Sequence, residues 1–271
     1  MDLTNNEVIH FKEEGCQYLQ FRRLLKYDGL RHAYGIKPAN YKIRTEEETE
    51  DVRQNYKTLS DCIGVDYGKL VVPNQKHTNN VKSVENAENN VGRTEVKYQE
   101  TDGLVTAEKN AVLATTNADC ILLLMYDPVK KVIANVHSGW RGTFQKIAVN
   151  AVKKMVDDFD CDPKDIICCI CPSIRKCHFE VEKDVKDDCD KIFSYTNQTN
   201  DFIEYIGKKD GKDKWTIDTV MINKIMLKDC GLLAENIVDS GICSVCNSDI
   251  IHSYRVEKAE YGVNAAIISI I

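Results

Sequence analysis

Between residues 111 and 137 the chain carries three strongly apolar runs separated only by short polar breaks. The runs 111–116 (AVLATT) and 121–126 (ILLLMY) flank Asn117-Ala118-Asp119-Cys120, and 131–137 (KVIANVH) follows closely. Such short apolar stretches read as strands buried in a sheet rather than as amphipathic helices. The last runs into Ser138-Gly139-Trp140-Arg141-Gly142, a glycine-rich turn. The polar residues of the breaks therefore sit at strand ends facing loops, where sites are usually assembled.

After Thr143 the pattern turns helical, with Ile147, Val149, Val152 and Met155 on one face until Asp162-Pro163 breaks it. Residues 166–171 read as another buried strand, ended by Pro172, residues 182–192 as a charged helix, and 216–230 as a second amphipathic helix closed by Gly231. Strand-like segments follow at 237–238 and 265–271. Upstream, the acidic run 46–51 (EEETED) reads as the charged start of a helix continuing through Val52, Tyr56 and Leu59. Residues 69–72 form a short β-rich run broken by Pro73. Residues 79–97 read as strand, loop and strand, and residues 196–214 as loops around a short strand at 202–206. With no repeat, low-complexity tract or linker, the expectation is one mixed α/β domain over residues 1–271.

A net charge of −6 provides no basic footprint for nucleic acid or an anionic membrane. The longest apolar run is far short of the roughly 20 residues a spanning helix needs. The N-terminus has neither a basic region nor an apolar core of a secretory signal, so the expected location is the cytoplasm. Most of the twelve cysteines are then reduced, and many act as small packed hydrophobes.

A catalytic zinc takes three nitrogen or sulfur ligands and keeps a fourth position open. His77, Cys120 and His137 are candidates because each lies where a strand meets a turn. Their spacing includes no short local pair, so from the residues alone a loop histidine, a core thiol and a core imidazole outweigh the metal reading. Cys243-Ser-Val-Cys246 has redox or zinc-knuckle spacing but no second such pair. Cys168, Cys169, Cys171 and Cys177 are the nearest supply for a structural zinc, and the first three favour plain packing on a strand.

The segments QKH at 75–77, TDGLVT at 101–106, TNADCILLL at 116–124, ANVHSGWRGT at 134–143, CPSIRKCHFEV at 171–181 and CSVCNSDIIHSYR at 243–255 resemble, in order, those of the YfiH-type laccase-domain family. This family is also called multicopper polyphenol oxidase-like or purine nucleoside phosphorylase. The resemblance covers roughly residues 65–271; the first 60 match only loosely. It implies a compact α/β sandwich, mixed sheets between helices, with His77, Cys120 and His137 as zinc ligands at its surface. It also implies phosphorolysis of adenosine, inosine and methylthioadenosine, with adenosine deamination beside it. Departures fall elsewhere: the glycine after the family's histidine is Thr78, the later arginine is Val263, and an early asparagine-arginine pair is Asn55-Tyr56. They touch anion handling more than metal binding.

For deamination, the expectation is a metal-activated water attacking C6 of adenine, with Asp119 or Asp102 protonating the leaving amine. For phosphorolysis, Arg141 is the first choice for phosphate and Arg255 the second, with Trp140 as a surface for the purine. Two alternatives stand beside this reading. One is a copper-dependent phenol oxidase, since imidazole and thiolate also suit copper, although three ligands cannot supply the several coppers of a true laccase. The other is a metal-free hydrolase with Cys120 as nucleophile and His137 as base.

Overall fold

The apolar run at 121–126 becomes a strand with no solvent-facing side, and the architecture follows from covering it. The computed structural model describes residues 1–13, 15–43, 48–92, 97–193 and 199–271. Its first strands are β1 (Val8–Glu13), β2 (Cys16–Phe21), β3 (Leu30–Gly35), β4 (Leu70–Val71), β5 (Val81–Ser83), β6 (Gly103–Thr106), β7 (Val112–Asn117) and β8 (Ile121–Asp127). They are followed by β9 (Val132–Ser138), β10 (Ile167–Ile170), β11 (Glu180–Val181), β12 (Ile203–Lys209), β13 (Lys212–Ile217), β14 (Ile237–Asp239) and β15 (Asn264–Ile270). The helices are α1 (Glu48–Ile63), α2 (Trp140–Phe144), α3 (Ile147–Phe159), α4 (Lys183–Phe193), α5 (Thr199–Phe202), α6 (Thr219–Asp229) and α7 (Tyr254–Glu257).

Two mixed six-stranded sheets, ordered β1-β2-β3-β15-β7-β4 and β14-β10-β8-β9-β6-β5, pack face to face. Side-chain alternation decides what each strand touches. From β8, Leu122, Leu124 and Tyr126 meet Leu19, Phe21, Tyr34, Ala266 and Ile268 of the other sheet. Ile121, Leu123 and Met125 turn the opposite way onto Ile147, Ala151, Val152 and Met155 of α3. The first sheet is covered in turn by Val52, Tyr56, Leu59 and Ile63 of α1, packed on Ala33, Val112, Ala114 and Ile267. The result is the expected α/β sandwich of mixed sheets between helices. Each fully buried Leu, Ile or Val contributes roughly 1.5–3 kcal/mol.

The sequence and the structure part in several places. Of residues 196–214, expected as loops around a short strand at 202–206, residues 196–198 lie outside the described residues. The strand is present within β12 but extends to Lys209 and pairs with β13 as an antiparallel hairpin, from Ile203↔Ile217 to Lys209↔Lys212, which with β11 makes a third sheet. The helix expected from 216 begins at Thr219, because Thr216 and Ile217 end β13 and Asp218 caps the helix by accepting from the Met221 amide at 2.9 Å. The first 60 residues supply β1, β2 and β3, half of the first sheet. Residues 46–47 of the acidic run and 93–96 of the 79–97 segment lie outside the described residues; α1 contains the rest of the run. No helix among the described residues is long and apolar enough to cross a membrane.

Candidate metal centre

His137 stands on β9, opposite Leu122 of β8 in the antiparallel register, and Cys120 closes the turn just before β8. That turn is tight: Asn117 Nδ2 donates to the Cys120 carbonyl, and Asp119 takes a positive φ of 83°. Asn117 is itself pinned by the Tyr34 hydroxyl at 2.9 Å and by Asn264. Pairing of β8 with β9 thus brings the thiol beside the imidazole without any local sequence spacing.

His77 arrives on the loop after β4. Gln75 ties that loop to β7 through two 2.8 Å bonds with the backbone of Thr116. The buried Asp102 carboxylate accepts from the amides of Lys76, His77 and Thr78 at 3.1, 3.0 and 2.8 Å, and from the Thr78 hydroxyl at 2.8 Å. Its Oδ1 also lies 2.8 Å from His137 Nδ1. One carboxylate therefore fixes the loop carrying the first imidazole and the ring orientation of the second, leaving Nε2 of His137 to face inward.

The donor atoms of His77, Cys120 and His137 lie within 4.8 Å of one another. Cys120 Sγ is 3.8 Å from His77 Nε2, close to the roughly 3.6 Å edge that Zn–N and Zn–S bond lengths give a tetrahedron. The two imidazoles meet edge to face, with centroids 4.9 Å apart. Gly139 leaves the room: a Cβ there would stand 2.7 Å from His77 Cδ2 and 3.2 Å from Cys120 Sγ. Donor chemistry, spacing and this cradle all fit one ion.

Burial works to raise the Cys120 thiol, but His137 and His77 beside it pull it down to about 6. Burial likewise opposes a charged His137, yet Cys120 and Asp102 lift it to about 9. For Asp102, burial is outweighed by His137 and the Thr78 amide, which hold it at about 2. The thiolate, the ligand form, is thus favoured near neutrality.

The trio sits in an open pocket of about 1100 Å³, also lined by Asp119, Trp140, Arg141, Phe179, Tyr254, Arg255 and Tyr261. Asp102 lies behind His137 and is not among the lining residues. Asp119 accepts from the Ser244 and Ser253 hydroxyls at 2.6 and 2.7 Å and from the Arg255 amide at 2.7 Å. Arg141 is exposed and its guanidinium lies 4.3 Å over the Trp140 ring. The Arg255 guanidinium instead reaches the carbonyls of His178 and Glu180. Sequence reasoning missed Gln75, Ser244 and Ser253, which act only through tertiary bonds, and Lys42, whose ammonium sits 3.0 Å over Tyr261 at the pocket wall.

A family profile described as "Multi-copper polyphenol oxidoreductase laccase" matches residues 29–271. Purine nucleoside phosphorylase YlmD of Bacillus subtilis is 28% identical over 82% of this chain and 78% of its own length. A purine nucleoside phosphorylase of Staphylococcus epidermidis is 30% identical over 78% of this chain and 76% of its own. The crystal structure of the Bacillus licheniformis hypothetical protein YfiH shares the fold, with a TM-score of 0.85 at 22% identity over 94% of this chain and 96% of that one. The chain belongs to this laccase family of the YfiH type.

Proposed function

We propose that this protein is a zinc-dependent purine nucleoside phosphorylase, converting adenosine, inosine and methylthioadenosine to base and ribose 1-phosphate, with adenosine deamination at the same centre. The observation that carries the reading is the convergence of His77, Cys120 and His137 in a pocket that also presents Arg141 and Trp140. The names of the relatives support the substrate class. His77, Cys120 and His137 would hold zinc, which would supply Lewis acidity to the pocket. Copper is the alternative occupant, because imidazole and thiolate accept both. Thiolate ligands call for a reducing compartment, which supports the cytoplasm.

In phosphorolysis the C1′–N9 bond breaks as an oxygen of hydrogen phosphate bonds to C1′, and the base leaves with the electron pair and takes up the proton that the phosphate gives up. Arg141 grips phosphate oxygens through its guanidinium fork. Trp140, held edge-on to Phe144 at 5.4 Å, offers apolar surface to the purine. Asp102 and Asp119 are positioning residues. Each accepts hydrogen bonds from several donors and so holds its neighbours in place. Asp102 orients His137, and Asp119 holds the turn that carries Cys120.

One observation favours a second reading. Cys120, His137 and Asp102 also form a nucleophile, base and orienting acid. That arrangement has no use for His77 or for the space Gly139 leaves beside it. Incubating purified protein with adenosine and phosphate separates the activities: adenine with ribose 1-phosphate marks phosphorolysis, and inosine marks deamination. The absence of both products would end the nucleoside reading.

A further inference from the structure

A second group of donors stands on the far side of Asp119. Cys177 and His178, in the turn between β10 and β11, meet Cys243 and Cys246, in the segment between β14 and α7. Cys177 Sγ lies 3.7 Å from Cys243 Sγ and 4.0 Å from Cys246 Sγ. His178 Nδ1 lies 3.2, 3.7 and 3.5 Å from the sulfurs of Cys177, Cys243 and Cys246. A tetrahedral zinc with ordinary bond lengths requires S···S edges of about 3.8 Å and N···S edges of about 3.6 Å. Both of these S···S separations and two of the three N···S separations lie within about 0.2 Å of those edges, the adjacent Cys177–His178 pair is shorter, and all four donor atoms lie within 4.8 Å of one another. A disulfide would need two sulfurs at about 2.0 Å, and all three thiols are free.

The backbone supports the same reading. Cys243-Ser-Val-Cys246 has knuckle spacing, and the Ser244 amide donates to the Ser173 carbonyl at 3.0 Å, tying that knuckle to the segment that carries Cys177 and His178. The two segments already touch through a bridge between Ser173 and Cys243. Cys243 is buried, whereas Cys177 and Cys246 are exposed, so an ion has a path in from solvent.

We propose that Cys177, His178, Cys243 and Cys246 bind a second zinc ion in a closed, four-ligand structural site. The ion cross-links two segments that otherwise meet by few bonds. Both segments support the pocket. Ser244 donates to Asp119, and the His178 carbonyl receives the Arg255 guanidinium, whose own amide donates to Asp119. The site is independent of the proposed nucleoside chemistry.

The test is metal content by native mass spectrometry of protein purified under reducing conditions with zinc present, together with the cobalt-substituted spectrum. The His77→Ala/Cys120→Ala variant is expected to retain one zinc per chain. Its cobalt form should show the strong thiolate charge-transfer and intense visible bands of a tetrahedral site with three sulfurs. Cys177→Ser/Cys246→Ser should lose one zinc relative to the parent. If the parent holds a single zinc that disappears in the His77→Ala/Cys120→Ala protein, the second site is refuted while the first stands. If the parent holds a single zinc that survives in that variant and shows the three-sulfur spectrum, the second site stands and the first fails. A parent mass lighter by two hydrogens, with a Cys243–Cys246 or Cys177–Cys243 disulfide, or iron in place of zinc, also overturns the proposal. The cobalt spectrum of the parent keeps the test decisive should the serine variant not fold.

Discussion

Asp102 concentrates more of the candidate centre than any ligand does. Its carboxylate receives three backbone amides and a hydroxyl from the His77 loop and holds the His137 ring from behind. Asp102→Asn replaces one acceptor oxygen by a donor that faces those same donors. Metal affinity should fall about 10- to 100-fold, as for other residues that orient a metal-binding histidine, and competition with a chromophoric chelator measures it. Gly139→Ala should act on the same reading through space, since its Cβ would crowd His77 and Cys120. We expect weakened metal binding at nearly unchanged thermal stability; unchanged affinity would mean the imidazole swings away at no cost. His77, Cys120 and His137 were legible from the sequence because the motifs around them are specific, while their bare spacing left three packing readings open. His178 was not legible. It sits beside a cysteine with no partner at short spacing, and only the fold brings Cys243 and Cys246 to it.

At the scale of elements, β8 and α3 were readable because burial on both faces leaves an uninterrupted apolar run and burial on one helical face leaves a three-and-four spacing. Of the hairpin β12–β13 only the short strand at 202–206 was legible; its extension and its partner β13 were not, because Lys208, Lys209, Lys212, Asp213 and Lys214 carry charge instead of an apolar alternation. Met155, fully buried where α3 covers β8, tests the layer contact. Met155→Ala should cost roughly 2–5 kcal/mol in denaturant unfolding. Elsewhere, Asp239 at the end of β14 receives Arg175 at 2.7 and 2.6 Å and Lys224 of α6 at 2.6 Å, joining three segments. Burial pushes this carboxyl up, but Arg175 and Lys224 hold it well below the usual range. The folded value thus lies under the unfolded one of about 3.9. The contribution is complete above that value and is lost as pH falls through the folded one. Asp239→Asn should therefore cost about 2 kcal/mol near neutrality, and the difference from the parent should shrink in strong acid, as urea midpoints across pH would record.

For the whole molecule, early and late parts of the chain meet in one sheet: β3, from the first 60 residues, pairs over its full length with β15, from Leu30↔Ile270 to Gly35↔Ala265. That pairing, with β2 and β1 beyond it, builds the early residues into the sheet. β15 also pairs with β7, whose terminal Asn117 begins the turn to Cys120, so closure of the sheet and placement of the thiol are one event. The mixed α/β class followed from the pattern of buried runs and the sandwich from the family resemblance, but the strand order followed from neither, because it depends on which distant edges pair.

The most direct test strips metal with a chelator, then returns zinc in steps while phosphate-dependent release of adenine from adenosine is followed. The account predicts that stripped protein is inactive and that activity returns as zinc fills the site of His77, Cys120 and His137, with no recovery in Cys120→Ala. Full adenine release by metal-free protein would contradict it and leave Cys120 a nucleophile rather than a ligand.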